Sequence, residues 1–321
     1  MTILKLLCFL FILATGYSAT AQTATEMALF KESDISLVTP TGTIQGTLTV
    51  QLPLQKSPGP VALLISGSGP TDRNGNNPMM QNNALQMLAQ ELAATGIATV
   101  RYDKRAIGKS IIPNFSEVNY RFDDLVKDAV GWIDLLKKDS RFTKISIIGH
   151  SEGALIGLEA ALATKPNAYI SIAGAARSAD SLILAQVAQQ PEVVRNEVRD
   201  ILVQLKAGKE VSSFSPYLAP LFRSSVQPYM ISWLRYTPQD DLKKLKIKTL
   251  IIQGTSDLQV PVTEAQQLAK AKPDAKLLLI PDMNHVLKQV SPSKEENLAT
   301  YNNPTLPLAK ELIPAIVDFL K

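Results

Sequence analysis

The pentapeptide GHSEG at residues 149–153 carries the most specific chemical pattern in this sequence. It follows the apolar, β-branched run KISII at 144–148 and leads into an Ala- and Leu-rich segment at 153–164. The order strand, G-x-S-x-G, helix is typical of a nucleophile elbow, a tight turn that lifts a serine hydroxyl above a sheet. Glycines flank such a serine because side chains there would collide with the neighbouring helix and strand. Ser151 is therefore predicted to be a nucleophile.

A serine hydroxyl is a weak nucleophile until a base takes its proton, and the chain has only two histidines, His150 and His285. His150 directly precedes Ser151 on the sharp turn, where its ring cannot readily reach the serine hydroxyl, so we expect it to pack beside the turn. His285 comes soon after the apolar run KLLLI at 276–280, near the strand end where parallel sheets bind ligands. His285 is therefore predicted to be the general base.

The base needs a carboxylate that fixes its tautomer, and the chain order serine, acid, histidine places this acid between 151 and 285. Asp257 follows the apolar run TLIIQ at 249–253, again near the carboxyl end of a predicted strand. Asp282, three residues before His285, is the alternative, but we expect it to shape its own turn. Asp257 is therefore predicted to orient His285 and to complete a triad with Ser151.

The tetrahedral intermediate of acyl transfer needs backbone N–H donors aimed at its oxyanion. One predicted donor is the N–H of Glu152, the residue after the nucleophile. The other is the N–H of Ser68, in the loop SGSGP at 66–70, where glycines on both sides allow the backbone to approach a substrate. No G-K-[ST] follows this loop, so a phosphate-binding P-loop is excluded.

Strand-like and helix-like segments alternate along the chain, which predicts an α/β fold with a mostly parallel sheet and helices on both faces. The first segment, 34–53, alternates apolar and polar residues around a Thr-Gly turn and predicts an antiparallel hairpin. Further predicted strands cover 61–66, 97–102, 144–148, 168–172, 249–253 and 276–280, and predicted helices cover 83–95, 120–138, 153–164, 262–271 and 306–320.

The alternation stops between about 175 and 245, where helix-like segments are broken by five prolines. An insertion after a strand of a parallel sheet lies at the carboxyl ends of the strands, where ligands bind. We therefore predict a helical cap. Six of the 19 aromatic residues fall between 214 and 236. Two interpretations stay open: these aromatics line an acyl or aryl pocket, or they form a small core within the insertion.

The first 21 residues have the layout of a secretory signal peptide. Lys5 precedes the apolar run LLCFLFILA at 6–14, and Ala-Thr-Ala at 19–21 matches the small-residue cleavage pattern. The run is too short to span a bilayer. We expect cleavage after Ala21 and export to the periplasm or the medium, with an uncleaved membrane anchor as the alternative. Cys8 is the only cysteine and leaves with the signal peptide.

The composition is that of an ordinary globular protein, with 321 residues, 45% hydrophobic and 19% charged, which excludes disorder and a coiled coil. The formal net charge of +4 is small and scattered, so a nucleic-acid partner is not expected. A single cysteine excludes an internal disulfide and a cysteine-rich zinc site. We expect no metal, no cofactor and, after cleavage, no membrane span.

Four stretches resemble the α/β-hydrolase superfamily, and more narrowly its bacterial esterases of the serine aminopeptidase-like and dienelactone hydrolase-like branch. The resemblance implies the α/β-hydrolase fold for residues 22–321, with the insertion as a cap. It assigns the same triad and the same two oxyanion donors to this sequence. The stretches are ISGSGPTDRNGN at 65–76, RYDKRAIGKS at 101–110, GHSEG at 149–153, and GTSDLQVP with NH at 254–261 and 284–285.

Two positions depart from the pattern of that superfamily. Ser66 stands where many relatives have the histidine of an H-G pair, and Ala106 stands where D-x-R-G-x-G-x-S relatives have glycine. In the second stretch, Asp103 and Arg105 are expected to tie the turn together through ionic hydrogen bonds and not to act in catalysis.

The resemblance implies a serine carboxylesterase that hydrolyses small to medium acyl esters through an acyl-enzyme, with a small-molecule ester as its partner. An aminopeptidase or acyl-peptide hydrolase of the same fold is one alternative, because Glu152 is a candidate acid for a substrate ammonium group. A non-catalytic binding protein of the same fold is the other. No feature of the sequence indicates an oligomeric state.

Overall fold

The computed structural model describes residues 29–53, 57–291 and 293–321, and the predicted signal peptide lies outside them. The described strands are β1 (Phe30–Thr39), β2 (Gly42–Gln51), β3 (Gly59–Ile65), β4 (Ala98–Tyr102), β5 (Phe142–His150), β6 (Ala168–Ile172), β7 (Lys248–Gly254) and β8 (Lys276–Ile280). They form one sheet in the order β1-β2-β4-β3-β5-β6-β7-β8. β1 and β2 are antiparallel to their neighbours at one edge, and the other six strands run parallel. The predicted mostly parallel sheet is confirmed.

Helices cover both faces of this sheet. They are α1 (Ala84–Ala94), α2 (Phe122–Lys138), α3 (Glu152–Thr164), α4 (Ala179–Gln186), α5 (Glu192–Lys206), α6 (Ala219–Phe222), α7 (Gln227–Trp233), α8 (Pro238–Lys244), α9 (Val262–Ala271), α10 (Lys294–Ala299) and α11 (Leu312–Leu320). Alternate residues of β3 join opposite apolar clusters: Val61 and Leu63 pack with α2 and α3, and Ala62 and Leu64 pack with α1 and α11. Among the described helices, none is long and apolar enough to cross a bilayer.

Residues 173–247, between β6 and β7, form the helical insertion, which contains α4 to α8. It has an apolar cluster of its own, in which Phe222 is fully buried. Trp233 packs against this cluster and also against the core on the sheet, and it lines a cavity beside the site described below. Phe222 therefore belongs to the insertion's own core, as one interpretation of the aromatics expects, while Trp233 lines a cavity whose occupant the fold alone does not identify.

The closing helix is shorter than the predicted 306–320, since α11 begins at Leu312. Pro307 has no backbone N–H to donate within a helix. The N–H of Ala309 donates instead to the carbonyl oxygen of Leu287, at 2.8 Å, in the loop after β8. Pairing with a distant segment therefore replaces the helical bonds that the local periodicity predicts.

Candidate active site

The turn between β5 and α3 has an uncommon backbone conformation at Ser151, with φ 55° and ψ −121°. The chain comes very close to its neighbours on both sides of this residue. A Cβ on Gly149 would lie 2.2 Å from the carbonyl oxygen of Gly153, and a Cβ on Gly153 would lie 2.3 Å from that of Ile65. Glycine is therefore required at both positions, and this close packing holds Ser151 at the carboxyl end of β5.

His285 and Asp257 form a buried pair at the carboxyl edge of the sheet. His285 Nδ1 lies 2.8 Å from Asp257 Oδ2. Because an ionised carboxylate only accepts hydrogen bonds, Nδ1 carries the ring proton, and Nε2 of the neutral ring is an acceptor. Asp282 is exposed, and its backbone N–H donates to Thr255 Oγ1 at 2.9 Å. The structure thus places Asp257, and not Asp282, against the histidine ring.

Asp257 is surrounded by hydrogen-bond donors. Its Oδ1 accepts the N–H groups of Gln259 and Val260 at 2.8 and 2.9 Å, and its Oδ2 accepts Gln253 Nε2 at 3.0 Å as well as His285. Burial alone raises the pKa of Asp257, but the bonds from His285, Val260 and Gln259 outweigh it, and the pKa is lowered. The carboxylate therefore stays ionised beside the histidine.

Ser151 and His285 line the same cavity. Within the part of the chain that the structure describes, Ser151 Oγ and the His285 ring form no hydrogen bond with each other. Contacts between a nucleophile and its base often become short only when substrate is bound. The structure thus places the Ser151 and His285 side chains at one cavity, but no hydrogen bond between them is formed among the described residues.

His150 packs beside the turn and supports His285 from its backbone. His150 Nε2 lies 2.8 Å from the carbonyl oxygen of His285, and the two ring centroids are 4.8 Å apart. Since a carbonyl oxygen only accepts, Nε2 carries the ring proton. Burial, together with the neighbouring His285, lowers the pKa of His150 to about 4. His150 is therefore neutral near pH 7 and serves as a fixed donor.

The loop after β3, residues 66–70, touches the serine turn. A Cβ on Gly67 would lie 3.2 Å from Ser151 Cβ, and Ser68 lines the cavities next to Ser151. Among the described residues, no acceptor pairs with the backbone N–H of Ser68 or of Glu152. Glu152 is the first residue of α3, where an N–H has no partner within the helix. Two unpaired donors close to a serine hydroxyl are what an oxyanion needs.

A buried lysine that the motifs did not point to lies behind this loop. Lys104 follows β4; its Nζ donates to the Gly67 carbonyl oxygen and lies 3.8 Å from Glu152 Oε2. Tyr229 of the helical insertion donates its hydroxyl to Glu152 Oε1 at 2.8 Å. Burial lowers the pKa of Lys104, and the nearby Glu152 opposes that shift. The available signal was its position, directly after a strand that ends at the same edge as β5.

Two cavities meet at Ser151. The smaller, of about 290 Å³, is lined by the loop after β3 and by the His285 segment. The larger, of about 430 Å³, lies under the helical insertion, and Leu182, Leu221 and Trp233 form part of its wall. A substrate whose reacting carbonyl sits at Ser151 thus has room on two sides.

Asp103 and Arg105 tie the turn after β4 to other parts of the chain. Asp103 Oδ2 accepts Arg73 Nη2 at 2.8 Å, and Arg105 donates twice to Asp128 of α2, at 2.7 and 2.6 Å. Neither residue lines the two cavities, so these contacts support the structural role expected for both. Across the described residues, no three His, Cys, Asp or Glu side chains are grouped so as to hold a metal ion.

Comparison with known sequences relates part of this chain to hydrolases. Residues 80–219 match the family described as "Serine aminopeptidase, S33". "Esterase EstD" of Thermotoga maritima is 25% identical over 271 residues, which cover 80% of this chain and 60% of that protein. The matched region therefore spans less than two thirds of the length of this curated relative.

Comparison with solved structures relates nearly the whole chain to one fold. Est1E from Butyrivibrio proteoclasticus has a TM-score of 0.58 at 16% identity, over 89% of this chain and 98% of that one. An esterase of Pyrococcus furiosus has a TM-score of 0.57 at 16% identity, over 91% and 90% of the two chains. A hypothetical protein from Pseudomonas aeruginosa reaches 0.62 at 13% identity, over 91% and 95%. At these identities the likeness concerns the fold, and it confirms the fold expected from the four matching stretches.

Proposed function

We propose that this chain is a member of the α/β-hydrolase superfamily and a serine carboxylesterase that acts on small to medium acyl esters. The buried pair of Asp257 and His285 carries this proposal, because it leaves a ring nitrogen free to accept a proton beside the cavity that contains Ser151. The unusual backbone at Ser151 and the two unpaired N–H groups next to it support the same chemistry. The similarity to Esterase EstD supports it further.

In the proposed reaction, His285 Nε2 accepts the hydroxyl proton of Ser151 while Oγ attacks the carbonyl carbon of the ester. Asp257 holds the ring in the required tautomer and stabilises the imidazolium. The carbonyl oxygen becomes an oxyanion, which the N–H groups of Ser68 and Glu152 bind. The imidazolium then protonates the leaving alcohol. A water molecule, deprotonated by the same histidine, hydrolyses the acyl-enzyme.

The two cavities support the proposed size of the substrate. The larger cavity offers Leu182, Leu221 and Trp233 to an acyl chain, and its volume of about 430 Å³ lies at the small end of the range for ligand sites. The smaller cavity, of about 290 Å³, then accommodates the alcohol. A short or medium acyl group therefore fits beneath the helical insertion.

The direct test is hydrolysis of p-nitrophenyl acetate and butyrate by the wild-type protein and by Ser151→Ala. We expect the substitution to lower kcat by roughly a thousandfold or more, since the nucleophile is lost. A wild-type protein that is no faster than Ser151→Ala would refute the proposal. A fluorophosphonate probe provides the second readout, because it should label the native wild type and leave Ser151→Ala unlabelled. An unlabelled wild type would favour the non-catalytic binding protein.

An aminopeptidase of the same fold is the second candidate, and the family that residues 80–219 match favours it. Such an enzyme needs an acidic group for the substrate ammonium, and the sequence offers Glu152 for this role. Its carboxylate is only 7% exposed and is already engaged by the Tyr229 hydroxyl and the nearby Lys104. We therefore expect kcat/KM for p-nitrophenyl butyrate to exceed that for an aminoacyl p-nitroanilide by about 100-fold. The reverse ranking would favour the aminopeptidase.

A further inference from the structure

We propose that Lys104 is a positioning residue for the oxyanion hole and that it sets the direction of the Ser68 N–H from the other end of the same peptide group. This inference rests on the proposed esterase function. Lys104 is buried, and none of the reaction steps uses it. Its two contacts, the Gly67 carbonyl and the Glu152 carboxylate, lie in the two segments that supply the N–H donors.

The first contact acts through the geometry of one peptide bond. The Gly67 carbonyl and the Ser68 N–H belong to a single planar, trans peptide group, so they point in opposite directions. A hydrogen bond from Lys104 Nζ to that carbonyl therefore directs the N–H away from the lysine and towards the cavity that Ser68 shares with Ser151. Glycine on each side of Ser68 would let this peptide group rotate at little cost if it were not held.

The second contact joins the loop to the start of α3. Glu152 supplies the other oxyanion donor through its backbone N–H, and its side chain lies 3.8 Å from Lys104 Nζ. One ammonium group thus bridges the two segments whose N–H groups must converge on one oxygen atom. Tyr229 holds the other carboxylate oxygen at 2.8 Å, which keeps the Glu152 side chain in place.

The hydrogen bond from Lys104 also strengthens the donor at the other end of the peptide group. A hydrogen-bond donor at the carbonyl oxygen polarises the peptide group and makes its N–H a stronger donor. The lysine side chain is 4% exposed, so water screens this effect only weakly. A side chain of similar size that has no hydrogen to donate should therefore lose both the orientation and the polarisation.

Lys104→Met tests the inference, and Lys272→Met is its matched control. Lys272 is also buried, donates to the backbone carbonyl of Leu245 at 2.9 Å and pairs with Asp274 at 2.9 Å. It lines neither cavity at Ser151. The two variants therefore remove similar interactions, one behind the oxyanion loop and one elsewhere.

We expect Lys104→Met to lower kcat for p-nitrophenyl butyrate roughly 10- to 100-fold while KM changes less than about threefold, because an oxyanion donor acts mainly in the transition state. The affinity for a trifluoromethyl ketone, whose serine adduct places an oxyanion in the same position, should fall by a similar factor. Lys272→Met should keep the wild-type kcat, even if its melting temperature falls by as much as that of Lys104→Met. Should Lys104→Met fail to fold, Lys104→Arg replaces it, since the longer arginine side chain displaces the donor. The same changes in kcat and in ketone affinity are then expected of Lys104→Arg.

The outcomes separate this inference from the proposed function. A folded Lys104 variant with wild-type kcat and wild-type ketone affinity, in a protein whose wild type is an active esterase, overturns the inference alone. A parallel loss of kcat in Lys272→Met also overturns it, because the effect would then follow from lost stability. A wild-type protein that neither hydrolyses the ester nor reacts with a fluorophosphonate overturns the proposed function, and the inference with it.

Discussion

His285 is held by one contact at its ring and one at its backbone carbonyl. The first fixes the tautomer of the His285 ring, and the second fixes that of the His150 ring. Asp257 accepts from Nδ1 of its ring, and the neutral His150 donates to its backbone carbonyl. His150 Nε2 donates to that carbonyl, and because burial lowers the pKa of His150 to about 4, its ring is a weak base for the proton of Ser151. The chain contains no third histidine, so the proposed proton transfer depends on the His285 ring alone.

Asp257→Asn changes the proton arrangement of this ring with little change of shape. An asparagine can donate to Nδ1, and the ring proton then moves to Nε2, the atom that must accept from Ser151. We expect kcat for p-nitrophenyl butyrate to fall roughly 1,000- to 10,000-fold, with KM near the wild-type value. Asp282→Asn is the control, since this exposed carboxylate lies close to His285 in sequence, and it should leave kcat unchanged. Near-normal turnover in Asp257→Asn would assign the orienting role to another group.

At the scale of the elements, strand ends explain which site residues can be predicted from the sequence. Ser151, Asp257 and His285 each follow an apolar run, and a parallel sheet brings the carboxyl ends of its strands to one edge. Lys104 also follows a strand, but its contact with the loop after β3 requires β4 to lie beside β3. The contact of Tyr229 depends on how the helical insertion packs over the sheet. Strand order and packing between elements are not encoded in a local pattern, so neither contact was predicted.

The helical insertion should control the length of the acyl group. Trp233 lines the larger cavity, so Trp233→Ala enlarges it on the side proposed for the acyl chain. We expect the ratio of kcat/KM for p-nitrophenyl octanoate to that for the butyrate to rise about tenfold. Tyr217→Ala is the control, because this aromatic of the same insertion is 57% exposed and does not line the cavity. An unchanged ratio in Trp233→Ala would place the acyl chain elsewhere.

The contact between α3 and α8 should make stability depend on pH. Burial and the neighbouring carboxyl of Asp241 raise the pKa of Glu159 on α3 from 4.5 to about 7. Between these two values the native state binds a proton that the unfolded state has lost, so stability falls as the pH rises through this interval. Glu159→Gln removes the titrating carboxyl, and with it the loss of stability between these two pH values. Its melting temperature should exceed the wild-type value at about pH 8, with little difference at about pH 4.

Asp240→Asn is the control for this prediction, because Asp240 is an exposed carboxylate on the same helix, α8, and pairs with Lys243. Thermal unfolding of the three proteins, followed by circular dichroism at both pH values, provides the comparison. A difference between Glu159→Gln and the wild type that is the same at both pH values would show that the Glu159 carboxyl does not titrate in this interval.

At the scale of the whole molecule, strands buried on both faces are what make the fold predictable. β3 and β7 appear in the sequence as short, continuous apolar runs because both of their faces pack against helices. The segment 306–311 behaves differently: its apolar spacing predicts a helix, but Ala309 pairs with Leu287 in the loop after β8. That pairing supports the segment that follows His285, so this misassigned helical region lies next to the candidate site.

The predicted export of the chain concerns residues before the described fold, and it can be tested by the mass of the purified protein. Cleavage after Ala21 leaves Gln22 as the first residue, so protein recovered from the periplasm of a bacterial host should have the mass of residues 22–321. Ala21→Leu should block cleavage, because the last residue before the cut must be small. Thr20→Leu should be processed normally, since the middle position of Ala-x-Ala is not restricted. Wild-type protein that keeps the mass of residues 1–321 after export would support the uncleaved anchor instead.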